Sequence, residues 1–516
     1  MKHFIGVDAG TSGIKVVVFN DKGEICASGY QECSVLTPQP GWVEQDPLVL
    51  WDACNSAVKM AIKNCGTKVD VASISFSGQM QGCLLVDKDL NPIGNCIIWL
   101  DQRSSAEVEE IMSLIPDEQA LNLTSNHCLN SFWAPKLLWV RKNRPQDYER
   151  AYKVMFVKDY LRLRMTGEVA TEVSDASLSF MLDVAGRKWA WPVFDALGID
   201  RGIVPERLSE SYEVVGYLRK EIADEWGIEA GVPVVAGAGD QPAGGVGTGI
   251  IRPGILGSTI GTSGVVFGCT SSPLIDNQNR AIMSMAHSVQ NKWCFLGLVL
   301  SAGGAFKWLR DTIFAQQKAE CAAKGMDVYD YMTSLAAQAQ PGCEGLVFLP
   351  YLNGEKTPIC DDKARGVFAG LSYRHGINEI CRSVMEGVTF AMRDTVEICR
   401  EMGHSVNEIR ANGGGAKSRL WLQMQADIYK ANVVTMNVEE GPAAGAAILA
   451  AVGAGFFSSV EEGCDAWLKV TECIEPDTRT SKIYDDYYES FKELYPALKV
   501  SFARQADVIN KHASGK

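Results

Sequence analysis

Gly10-Thr11-Ser12-Gly13 and Gly261-Thr262-Ser263-Gly264 repeat one tetrapeptide about half a chain length apart. Each copy lies between short β-branched runs, at 4–7 and 14–19 around the first and at 255–256 and 265–267 around the second. That pattern predicts a strand-turn-strand hairpin with the tetrapeptide at its tip. Glycine lets backbone N–H groups converge on an anion, and the Thr and Ser hydroxyls add donors toward phosphate oxygens. The pair predicts two phosphate-binding loops, with Gly10, Thr11, Ser12, Lys15, Gly261 and Thr262 as candidate contacts. An ordinary tight turn is the alternative for either copy taken alone.

Two carboxylates stand in suggestive places. Asp8 immediately precedes the first loop, where it can hold Mg²⁺ through water while amides hold phosphates, or can simply cap a turn. Asp240, in Ala238-Gly239-Asp240-Gln241-Pro242, follows an apolar strand predicted over 232–236 and opens a small-residue helical stretch. A helix N-terminus favours the ionised carboxylate. Phosphoryl transfer to an alcohol needs little beyond positioning, metal and a proton acceptor, so such a carboxylate fits that chemistry; a plain helix N-cap fits the local sequence as well. Asp8 and Asp240 are therefore the candidate catalytic and Mg²⁺-binding pair. Gly413-Gly414-Gly415-Ala416-Lys417-Ser418, ahead of a helix predicted over 421–430, either lets a base or ribose approach the backbone or forms a loop.

The elements that must position these residues follow from length and pattern. A chain of 516 residues exceeds a single core, and two large α/β lobes are expected. Three short strands over 4–35, a helix over 48–63 with apolar residues at helical spacing, and a strand over 71–76 predict a mixed sheet covered by helices. Eight of the 21 residues from 237 to 257 are glycine, which marks the crossing to a second lobe of the same plan. Helices are expected at 301–313 and 377–399. The divisions are 1–248, 249–457, and a helical tail at 458–516.

Composition narrows the function classes. A net charge of −13 without a basic block excludes nucleic acid and anionic membrane as partners. Sixteen scattered cysteines with no Cys-x-x-Cys pair read as reduced thiols of a cytoplasmic enzyme. The Ala- and Gly-rich stretch 443–457 is too short to span a bilayer and reads as a helix packed closely on a sheet.

Longer motifs bring a family into view. Gly366-Val367-Phe368-Ala369-Gly370-Leu371, with Asn378-Glu379-Ile380 and Ser383-Val384-Met385-Glu386 after it, is similar to a signature of the FGGY carbohydrate kinases; so are Phe348 to Pro358, Gly41 to Pro47, Lys158 to Leu161 and Gly441 to Gly445. Within that family the chain resembles the xylulokinases most closely. The resemblance implies two ribonuclease-H-like domains of the actin, hexokinase and heat-shock ATPase type flanking a cleft, with ATP and Mg²⁺ as cofactors, a small sugar as substrate and dimerisation as a common habit. It implies Asp240 as general base, Asp8 for metal and phosphate, Thr11 and Thr262 on phosphates, and Gly303, Gly414 and Ser418 around the nucleotide.

The same resemblance implies Met80-Gln81 and Asp240-Gln241 as sugar contacts, where xylulokinases carry Met-His and Asp-Asn. The expectation is an ATP-dependent kinase acting on a terminal hydroxyl of a ketopentose, D-xylulose first, to give D-xylulose 5-phosphate; the two departures admit ribulose, ribitol, erythritol and glycerol as alternatives, glycerol below a pentulose. Trp99, Asp101 and Arg103 form a further loop that either faces the sugar or packs. A nucleotide switch of the actin or chaperone kind and a metal-dependent phosphatase are alternatives from other classes.

Overall fold

The computed structural model describes residues 1–278, 282–438 and 440–513. Alternating and continuous apolar runs fold into two seven-stranded mixed sheets. The first holds β1 (His3–Ala9), β2 (Gly13–Asn20), β3 (Ile25–Glu32), β4 (Val71–Gly78), β5 (Val214–Tyr217) and β6 (Pro233–Val235) in the order β5-β6-β4-β1-β2-β3. Its last strand, β7 (Ala238–Gly239), rejoins β4 beyond a kink at Gly237, whose φ of +79° is left-handed. The second holds β8 (Ile255–Ile260), β9 (Gly264–Thr270), β10 (Met283–Ala286), β11 (Trp293–Val299), β12 (Glu408–Gly413), β13 (Asn432–Met436) and β14 (Val470–Ile474), in the order β10-β11-β9-β8-β12-β13-β14.

The two sheets share a plan. The series β3-β2-β1-β4-β6-β5 and β11-β9-β8-β12-β13-β14 have the same directions, two antiparallel pairs, two parallel pairs and a final antiparallel pair, and the same order over their first four strands; the last two are exchanged, since the edge strand β5 precedes β6 in the chain whereas β14 follows β13. One Gly-Thr-Ser-Gly tetrapeptide joins β1 to β2 and the other β8 to β9, as the hairpin pattern predicts. The expectation of a helical tail at 458–516 needs correction, because β14 lies within it and completes the second sheet. The last three residues of that tail lie outside the described residues.

Helices cover both sheets. α1 (Pro47–Asn64) starts at Asp46, whose side chain accepts from the Leu48 amide at 2.8 Å, and buries Leu50, Trp51, Cys54, Ala57, Val58 and Ala61 at helical spacing against β2 and β3. α2 (Val157–Thr166) backs the first sheet, while α3 (Asp240–Gly247) leaves β7. α4 (Gly303–Thr312), α5 (Ile377–Glu401) and α6 (Arg419–Tyr429) belong to the second half, as does α7 (Gly441–Gly453).

The helices α3 and α7 are exchanged between halves. α7 follows β13 of the second sheet yet packs on β1 and β4 of the first, and α3 leaves the first sheet and meets Phe267 of the second. Where they cross, a Cβ on Gly445 would lie 1.8 Å from the Ala243 carbonyl oxygen, and one on Gly247 would lie 1.8 Å from that of Gly441. Only bare backbone fits there, which is why the 443–457 stretch is so poor in large side chains.

Candidate active site

β1 delivers Asp8 to its C-terminal end, in register with Lys15 on β2 and Ser77 on β4. On the other side of β4, β7 pairs Ala238 with Ser77 and Gly239 with Gly78, so Asp240 emerges as the first residue of α3 beside the same two residues. The two carboxylates thus flank one strand end. Ser77 Oγ donates to Asp8 Oδ1 at 2.8 Å.

Their electrostatics follow from that placement. Burial pushes the Asp240 carboxyl up to about 7, and the charge of Asp8 adds to the rise; the amides of Asp240 and Gln241 at the helix start oppose it. Burial likewise raises Asp8, helped by Glu440 and opposed by the Ser77 hydroxyl and Lys15. A carboxyl that titrates near neutrality is suited to accept a proton and release it again.

Met80 packs against Gly239, where a Cβ would meet its side chain at 2.7 Å. Gln81 is 8% exposed and left-handed at φ +69°, held by its backbone: its N–H donates to Asp175 Oδ1 at 3.2 Å, and its carbonyl accepts from Lys136 Nζ at 2.8 Å. Gln241 follows Asp240 in the first turn of α3 and donates to it.

The first loop is more occupied than its sequence suggests. Thr11 Oγ1 donates to Gln79 Oε1 at 3.1 Å and accepts from Trp99 Nε1 at 3.0 Å, while its carbonyl accepts from Gln45 Nε2. Ser12 lends its carbonyl to Cys33 N and Tyr30 OH, and Lys15 forms an ion pair with Glu440 at the start of α7. Lys15 thus links the two halves through a part-exposed pair. Gly10 leaves the loop open, since an added Cβ there would meet only the Gly13 carbonyl, at 3.2 Å.

Asp101 calls for the clearest correction. It is fully buried, and its carboxylate accepts from Arg103 Nε at 2.8 Å, Arg103 Nη2 at 2.7 Å and the Val43 amide at 2.5 Å. Arg103 in turn stacks over Trp42 at 4.0 Å and reaches Glu44 at 2.7 Å. Asp101 is spent on holding its loop and cannot meet a sugar. Trp99 is 41% exposed, with its indole N–H donating to Thr11 Oγ1.

In the second half, Gly261, Thr262, Gly303, Gly414 and Ser418 come together around one cavity of about 360 Å³. The start of α4 wraps onto the loop, with the Gly303 amide donating to Gly261 O at 2.8 Å and that of Gly304 to Thr262 O at 2.9 Å. Of the glycine run, Gly413 and Gly415 crowd Ile260, whereas a Cβ on Gly414 would touch nothing closer than 3.6 Å, so Gly414 is the one facing space. Ser418 Oγ also accepts from the Trp421 amide at 3.3 Å, capping α6. Phe306, Tyr329 and Trp421 line the same cavity, with Phe306 5.5 Å from the Trp421 ring and 5.8 Å from Tyr329. These aromatics were missed in the sequence reading. Phe306 carried a signal, three residues after Gly303 on the same helix; Tyr329, on a separate helix, carried none.

The arrangement sets a pair of coupled carboxylates at the end of one sheet and an aromatic-walled cavity beside the matching loop of the other. Residues 3–247 match the N-terminal domain, and residues 256–454 the C-terminal domain, of the FGGY family of carbohydrate kinases. The chain belongs to that family. An FGGY kinase is an enzyme, so the nucleotide-switch and phosphatase alternatives fall away. The xylulose kinase of Staphylococcus epidermidis is 35% identical over 98% of this chain and 99% of its own. Two solved structures from Lactobacillus acidophilus, a ligand-bound xylulose kinase and a gluconate kinase, each share 25% identity and a TM-score of 0.90; both matches cover 98% of this chain, with 100% of the first and 99% of the second. The same FGGY fold therefore carries different named substrates. Among the described residues no helix is long and apolar enough to cross a membrane.

Proposed function

We propose that this FGGY kinase transfers the γ-phosphoryl group of ATP to a terminal hydroxyl of a ketopentose, D-xylulose first. The observation that carries the reading is Asp240: a half-buried carboxyl pushed up to about 7 by its desolvation and by Asp8, at a helix start, with Met80 packed on the preceding Gly239 and the Asp8 end of the sheet across β4. Its carboxylate takes the proton of the attacking hydroxyl as the new O–P bond forms. Gln81 and Gln241 would orient the sugar with neutral amides that both donate and accept. The Gly261-Thr262 loop and Gly414 would hold the nucleotide, and closure of the halves would exclude competing water.

Mg²⁺ fits the donor set. Asp8 and Asp240 are oxygen ligands of the right hardness, and the mutual repulsion that raises Asp240 is what a divalent cation would relieve. Among the described residues no group of three or more metal-ligating side chains occurs, so phosphate oxygens and water would complete the shell. When bound, the ion would neutralise charge on the transferring phosphate.

Xylulose leads because the curated relative named above carries that name over nearly its whole length. Gluconate is disfavoured by the pocket itself: Lys136 is turned onto backbone carbonyls and Lys158 onto Asp159, Glu172 and Asp175, so neither cation is left for a sugar carboxylate. The test is kcat/KM across D-xylulose, ribulose, ribitol, erythritol, glycerol and gluconate. D-xylulose should lead by tenfold or more; a higher value for any other member overturns the assignment.

A further inference from the structure

Asp240 and Gln81 come from segments far apart in sequence, and one buried turn bonds to Gln81 and to the residue before Asp240. The amide of Gly239, the residue before Asp240, donates to Ser174 Oγ at 3.1 Å, and the amide of Gln81 donates to Asp175 Oδ1 at 3.2 Å. Ser174 and Asp175 are fully buried neighbours in the single turn Val173–Ala176. We infer that this turn is a positioning bracket, which sets the distance from the Asp240 carboxylate to the sugar hydroxyl presented by Gln81. The inference rests on the sugar-site reading above.

The bracket is itself held rigidly. Glu172 accepts from the amides of Ser174 at 2.6 Å and Asp175 at 2.9 Å, and from Ser174 Oγ at 2.9 Å. Lys158 Nζ, buried on α2, lies 3.2 Å from Glu172 and 3.4 Å from Asp175 as well as 2.9 Å from Asp159; burial pushes the Asp175 carboxyl well up, and Lys158 opposes that rise. At the other end, a glutamine at φ +69° has a costly backbone that persists only where its surroundings over-determine it. Here Asp175 grips its N–H and Lys136 its carbonyl. Removing the Asp175 oxygen frees Gln81 to relax toward ordinary φ, which swings its amide away from the sugar. Removing the Ser174 oxygen frees Gly239 and the Asp240 carboxylate it precedes. Both residues are fully buried and act through different neighbours, Gln81 for Asp175 and Gly239 for Ser174, so the two losses separate kinetically.

The experiment compares wild type, Asp175→Ala, Asp175→Asn and Ser174→Ala in full-length protein, with D-xylulose and ATP varied in turn. Asp175→Ala should raise the KM for D-xylulose at least tenfold while the KM for ATP stays within twofold. Asp175→Asn, which keeps an acceptor oxygen for Gln81, should recover most of that loss. Ser174→Ala should lower kcat at least fivefold with the sugar KM within threefold. Equal effects on both KM values, no effect, or an Asn variant no better than Ala overturns the bracket. If Asp175→Ala does not fold, Ser174→Ala decides alone, and an unchanged kcat overturns it. If wild type prefers another sugar of the panel, the substrate reading fails and the bracket is measured with that sugar.

Discussion

Asp8 and Asp240 flank Ser77 and Gly78 at one end of the first sheet, and the charge of Asp8 adds to the burial that brings the Asp240 carboxyl to about 7. A base tuned in this way works only when ionised. For the free enzyme, kcat/KM for the sugar should therefore rise about tenfold per pH unit below 7 and level off above it. A flat profile between pH 5.5 and 8 removes Asp240 from the proton transfer.

The same burial acts on stability. Asp240 and Asp394 are raised to about 7 and Glu355 to about 8, so the folded chain holds more protons than the unfolded one from about pH 4 to about pH 8. Stability from these groups is full below their unfolded values and declines as pH rises through the folded ones. Asp240→Asn deletes one such charge. Its ligand-free Tm should exceed wild type at pH 8, by roughly 1–2 °C for each kcal/mol relieved in a chain of this length, and by much less at pH 5. Calorimetry at the two pH values checks the sign.

Gly414 faces the aromatic-walled cavity with room for a Cβ, so a branched side chain there would take up space that the nucleotide reading assigns to the ligand. Gly414→Val should leave the fold intact and raise the KM for ATP at least tenfold, with little change in the sugar KM. An unchanged ATP KM would place the nucleotide elsewhere.

At the helix crossing, Gly445→Ala puts a methyl 1.8 Å from the Ala243 carbonyl oxygen. Backbone must move, at a cost of about 1–3 kcal/mol, and α3 carries Asp240 with it. Both Tm and kcat should fall; a variant as stable and active as wild type means that the crossing is looser than it looks.

How much of this was legible depended on whether a residue's role is local. The duplicated tetrapeptide announced two hairpins and a doubled sheet because β-branched runs and turn residues act over a few positions. Asp240 was visible for the same reason, at a strand end opening a helix. Asp101 and the Ser174-Asp175 turn were misread or missed because their roles depend on distant partners, the Val43 amide as well as Arg103 for Asp101, and Gln81 and Gly239 for the turn; the Lys15–Glu440 pair was out of reach for the same reason. Strand β14 was missed because its two exposed leading residues and charged neighbours resemble the helices on either side.

The most direct test is phosphosugar formation by Asp240→Asn with nucleotide binding measured on the same preparation. The account predicts a fall of about 10²–10⁴-fold in turnover, with the Kd for ATP within a few-fold of wild type. Turnover close to wild type would contradict it.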